Sequence, residues 1–62
     1  MSYSYKIKNS EIVEYDKWGY KEASWDLIDF SKKSLKLESD WHKNSFFRTK
    51  QWLIENHPEL ML

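Results

Sequence analysis

From Tyr3 to Lys8 the chain reads YSYKIK, which on an extended backbone puts Tyr3, Tyr5 and Ile7 on one side and Ser4, Lys6 and Lys8 on the other. A period of two is the mark of a half-buried strand. Asn9 and Ser10 supply a two-residue turn, although it lacks the glycine of the most favourable hairpin turns. Residues 11–15, EIVEY, carry enough β-branched and aromatic side chains to return as a second strand, with Val13 and Tyr15 sharing a side. A two-stranded ribbon alone is marginal in water, so this hairpin must lie on another element.

Beyond the lone glycine, Gly19, which permits a tight turn between Trp18 and Tyr20, the period changes. Steps of about 100° per residue collect Ala23, Leu27, Ile28, Phe30, Leu35, Leu37 and Trp41 on one arc. The opposite arc takes Glu22, Asp26, Asp29, Lys32, Lys33, Lys36, Asp40 and Lys43. This pattern predicts one long helix over about 21–43. Two residues break it, because Glu38 falls among the apolar side chains and Trp25 among the charges. Asn44 suits the left-handed conformation that ends helices, and Ser45 suits an N-cap, so the pair makes a corner. A second helix over about 46–57 follows, with Phe46, Phe47, Leu53 and Ile54 on one face, and Pro58 stops it. The tail ELML is apolar enough to fold back. The predicted fold is α+β and helix-dominated, an N-terminal β-hairpin followed by an antiparallel helical hairpin, in one small domain spanning residues 1–62.

Composition narrows the supports available to such a fold. The chain of 62 residues has no cysteine, which removes disulfides and thiolate metal sites. Four Trp, four Tyr and three Phe let it build a core from few side chains. Ten basic and ten acidic residues cancel, leaving no global field to draw in nucleic acid or an anionic membrane. No apolar run approaches the roughly 20 residues of a membrane span, and the N-terminus lacks the apolar stretch of a secretory signal. The expectation is a soluble, cytoplasmic protein with no membrane contact. Nine Lys against one Arg, with single Ala, Gly and Pro residues, fits an A+T-rich coding sequence such as that of a phage or mobile element.

Catalytic chemistry finds little support. There is no glycine-rich phosphate loop, and neither histidine has the spacing of a helical metal pair. On a helix Asp40 and His42 point to different sides. Glu38 and His42 share a face, either as a general base with an orienting carboxylate or as a pair that softens a charge on an apolar arc. His57 complements the dipole of the last helical turn. So short a chain also promises little concave volume. No enzymatic activity, cofactor or metal is expected.

Two binding readings remain. Lys32, Lys36, Lys43, Arg48 and Lys50, together with Lys33, could neutralise phosphates of a nucleic acid. The order of acidic residues before basic ones along the predicted long helix, however, is also the order its dipole favours, and base readout normally uses more than one Arg. The second reading starts from the tryptophans. Trp25 lies among charges, and Trp52 lies off the Phe/Leu/Ile face of its helix. Tryptophan is the residue most enriched at binding hot spots, and broken local patterns mark function. With Trp18 and Tyr20 in the adjacent turn, these make the candidate partner-binding residues. The expected function is therefore a non-catalytic protein-interaction module, a small regulator or inhibitor docking on a larger protein through exposed aromatics, alone or as a homo-oligomer. Nucleic-acid binding through residues 32–50 is the alternative. Both tryptophans would instead be core if the turn covered Trp25 and the ribbon or tail covered Trp52.

Overall fold

A computed structural model describes residues 3–32 and 35–61. Strands β1 (Ser4–Lys8), β2 (Glu11–Tyr15) and β3 (Lys21–Asp26) form one antiparallel sheet in the order β1-β2-β3. A 3-10 helix (Leu27–Ser31) follows, then the α-helix α1 (Asp40–Asn56), the one α-helix among the described residues, and a 3-10 turn (Pro58–Met61).

The first hairpin closes at Asn9-Ser10, with Lys8 opposite Glu11. Asn9 takes a positive φ of 58°, a conformation its short polar side chain tolerates. The second hairpin turns on Asp16 and Gly19. The Asp16 carboxylate accepts from the backbone N–H of Trp18 and of Tyr20, both at 2.9 Å, and Gly19 sits at φ 87°. An aspartate that bonds its own downstream backbone, followed by a glycine in left-handed geometry, is turn chemistry.

The helical hairpin predicted from periodicity does not form. Residues 21–26 are a strand and 27–31 a 3-10 helix, and among the described residues of the predicted long helix only 40–43 are α-helical, as the first turn of α1. Lys33 of that segment, and Leu62 of the tail, lie outside the described residues. Three physical reasons account for the difference. Ala23 to Leu27 also alternate, and as a strand they put Ala23 and Trp25 inward and Ser24 and Asp26 outward. Ser24, Ser31, Asp26 and Asp29 compete for backbone hydrogen bonds that a helix needs. Finally, β2 in the centre of the sheet requires a partner on each side, and β3 supplies the second one. Asn44-Ser45 is likewise not a corner but lies inside α1, whose N-cap is Ser39, with its hydroxyl accepting from His42 N–H at 3.2 Å.

One layer of sheet carries one helix. Ile12, Phe30, Phe46 and Leu53 are buried together, and Tyr5, Ile7, Trp25, Leu27, Leu35, Leu37, Trp52 and Met61 pack around them. The inward side of β2 is Ile12 and Glu14, not Val13 and Tyr15. Ser45, Phe46, Thr49 and Leu53, recurring at helical spacing, are the buried side of α1. The helix ends at His57, whose N–H bonds the Leu53 carbonyl at 2.7 Å, just before Pro58. No helix among the described residues is long and apolar enough to cross a membrane.

Candidate functional site

The chemistry of the core centres on Glu14, which is completely buried. Four donors meet its carboxylate. Tyr5 donates its hydroxyl to Oε2 at 2.6 Å, and Ser45 donates to Oε1 at 3.1 Å. Arg48 adds a forked pair, Nε to Oε2 at 2.9 Å and Nη2 to Oε1 at 3.0 Å. Trp25 extends the chain by donating Nε1–H to Ser45 Oγ at 3.3 Å. Every strand and α1 therefore contribute one member or more to a single polar network. A carboxylate offers about four acceptor sites, so Glu14 is saturated. Forked Arg–carboxylate contacts are the strongest and most directional of such pairs. Burial, and then the hydrogen bond to Glu14, push the Tyr5 hydroxyl well above the usual tyrosine range. The same carboxylate, as hydrogen-bond partner, raises Arg48.

Beside this network a cleft of about 440 Å³ opens between β1 and α1. Tyr3 and Tyr5 line it from the strand side, and Phe47, Arg48, Gln51, Trp52 and Glu55 line it from the helix. Tyr5 and Trp52 stack with ring centres 5.1 Å apart. The Arg48 guanidinium lies 4.0 Å from the Tyr3 ring centre, so the residue joins the network on one side and the cleft on the other. Phe47 is 60% exposed at the rim, and Gln51 donates to Glu55 at 2.8 Å. Little concave volume is expected of so short a chain, yet this cleft falls in the range of ligand sites. It exists because β1 is an edge strand, leaving its tyrosines only the helix on one side as a neighbour.

The four aromatics singled out in sequence have separate fates. Trp25 belongs to the core, edge-on to Phe46 at 5.4 Å and to Phe30 at 6.1 Å. Its apparent misplacement among charges came from assigning a helix to a strand. Trp52 is half-buried and forms a wall of the cleft, with the His57 ring 5.3 Å away. Trp18 and Tyr20 stand 71% and 72% exposed at the second turn, where the Lys17 ammonium lies 4.5 Å from the Trp18 ring centre. They share that turn, whereas Trp52 lies on α1.

Arg48 is turned inward by Glu14, and Lys32 meets Asp29 at 3.5 Å. Lys43 and Lys50, two turns apart on α1, share a side of the helix that Arg48 does not. Lys36 lies in the segment before α1. Glu38 precedes the helix, and the His42 ring nitrogen Nδ1 lies 2.8 Å from the Ser39 hydroxyl, so the Glu38–His42 face does not arise. His57 Nδ1 pairs with Glu59 at 3.2 Å. Glu59 is held below the usual carboxylate range by a backbone hydrogen bond first and by His57 second.

Glu14 and Ser45 of the network, and Tyr3, Tyr5, Phe47, Gln51 and Glu55 of the cleft, are the site residues that sequence reasoning missed. Tyr3 and Tyr5 were legible as one side of a strand, but nothing in the alternation shows that this strand is an edge. No family model, curated protein or solved structure matches the chain.

Proposed function

We propose that this protein is a non-catalytic interaction module, a small regulator or inhibitor that docks on a larger protein through the cleft between β1 and α1. The observation that carries this reading is an open, aromatic-walled cleft whose floor is pinned by the saturated Glu14 network. Tyr, Trp and Arg are the side chains that most often dominate binding energy, and they do so from well-packed, rigid positions. Tyr5, Trp52 and Arg48 each have that rigidity, through stacking or through Glu14. Tyr5 and Arg48 are engaged with Glu14, and Gln51 with Glu55, which suits recognition better than proton transfer.

Peptide ligands selected from a random library on the wild-type protein test this. Phe47→Ala removes an exposed ring and leaves the core intact, so it should retain the wild-type melting temperature within a few degrees and weaken those ligands roughly tenfold or more. A Trp18→Ala, Tyr20→Ala variant should bind them normally. Ligands that ignore Phe47 and require Trp18 and Tyr20 would move the site to the second turn and contradict the proposal.

A further inference from the structure

We infer that the cleft receives its partner as an added β-strand along β1, with side chains that alternate apolar and acidic. This rests on the protein-binding reading of the cleft and specifies its occupant. β1 pairs only with β2, and among the described residues no backbone hydrogen bond from another element reaches Ser4–Lys8. Its outer N–H and C=O groups are therefore a template for one more strand. An open sheet edge beside a pocket for alternate side chains is the geometry of strand addition, in which the backbone gives affinity and the pocket gives specificity.

The two sides of β1 set the pattern of the incoming strand. Tyr5 and Ile7 face the helix layer, and Tyr3 and Tyr5 line the cleft. Residues opposite them must be apolar, and one of them enters the cleft. That anchor is uncharged, because the Arg48 cation on the face of Tyr3 disfavours a cation and Glu55 in the same lining disfavours an anion. On the other side Ser4, Lys6 and Lys8 are exposed. Among the described residues neither lysine is in an ion pair, and the Lys6 ammonium stands 5.8 Å from the Tyr15 ring centre. Directly opposed side chains in neighbouring strands interact, favourably when charges differ and unfavourably when they match. Asp or Glu opposite Lys6 and Lys8 completes the match.

The same lysines argue against a second copy of this chain as the occupant. Two β1 strands paired antiparallel over their full length put Lys6 opposite Lys6, and a two-residue slip puts Lys6 opposite Lys8 in one direction and opposite Ser4 in the other, so no register of β1 on itself gives either lysine an acidic partner. The partner strand belongs to a different protein.

A short capped peptide alternating Phe or Leu with Glu is the probe, measured by fluorescence polarisation and by amide shifts of the full chain. It should bind and shift Ser4–Lys8. N-methylation of the peptide nitrogens that face β1 should abolish binding. A version with Lys in place of Glu should bind roughly tenfold more weakly, and Lys6→Glu, Lys8→Glu should reverse that preference. Binding that survives N-methylation would overturn strand addition while leaving the cleft as a protein site. Failure of every such peptide, while library-selected ligands still require Phe47, would do the same. A β1-mediated homodimer in solution would overturn the case against a second copy and with it the inference. Loss of the Phe47 requirement among library ligands would instead remove the underlying reading.

Discussion

Glu14 is the residue on which the most depends. A buried carboxylate is tolerable only when its charge and lone pairs are matched, and here Arg48, Tyr5 and Ser45 match them. Removing Arg48 strands the charge. Breaking such a pair from one side costs about 3–5 kcal/mol, as much as a core of this size usually supplies. Arg48→Ala should therefore be largely unfolded by circular dichroism at neutral pH, whereas Glu14→Leu with Arg48→Met, which replaces the pair by apolar groups, should fold. An Arg48→Ala protein that melts within a few degrees of wild type would show that the pair is not what holds the sheet to the helix. Tyr5 gives a second handle, through pH. Its proton is held in the folded chain by burial and by Glu14, but leaves the unfolded chain near pH 10, the ordinary tyrosine value. The folded state thus binds more protons above that value, and stability must fall as pH rises from about 10 upward through the shifted value. Tyr5→Phe should flatten this slope in denaturant melts and remove the late component of the tyrosinate absorbance titration. An unchanged slope would count against the Tyr5–Glu14 bond.

Among the elements, β3 is the instructive one. The hairpin strands over residues 4–8 and 11–15 and the stop at Pro58 follow from local chemistry, and alternation and a missing N–H are visible without any neighbour. β3 was hidden because the same residues satisfy a helical wheel, and because the reason for a third strand is the open side of β2, which no local window contains. One local signal did exist. Trp25 violated the wheel and obeys the alternation with Ala23 and Leu27. The turn before β3 separates the two descriptions experimentally. Gly19 has a φ of 87° and nothing within 4 Å of where a Cβ would stand, so Gly19→Ala incurs the left-handed penalty of about 1–2 kcal/mol without a clash. That should lower the melting temperature by roughly 4–8 °C per kcal/mol. Were residues 21–43 a helix with Gly19 in a flexible entry, the same change would be neutral or stabilising.

Taken together, a three-stranded sheet in the order β1-β2-β3 has β1 and β3 as its edges, and among the described residues no further strand pairs with either. The protein meets that problem with lysines on the outer side of β1 and aromatics on the inner side, an arrangement that resists self-pairing yet leaves a matching strand room to enter. Of the candidate site, Trp52 was legible from its off-face position on the second predicted helix. The rest was not, because the cleft depends on contacts such as Glu14 to Arg48, which lie 34 positions apart, and on Tyr5 meeting Trp52. Pairings at that separation are set by how layers stack and leave no periodic trace. The neutral total charge pointed away from nucleic acid, and of the five residues named for that alternative, Lys32, Lys36, Lys43, Arg48 and Lys50, Arg48 is turned inward by Glu14 and Lys32 meets Asp29. The decisive measurement is an amide and indole chemical-shift map of the wild-type protein with a library-selected peptide. Shifts confined to Tyr3–Lys8, Phe47–Glu55 and the Trp52 indole are the predicted result. A map centred on Trp18 and Tyr20, with β1 and Trp52 unmoved, would contradict it.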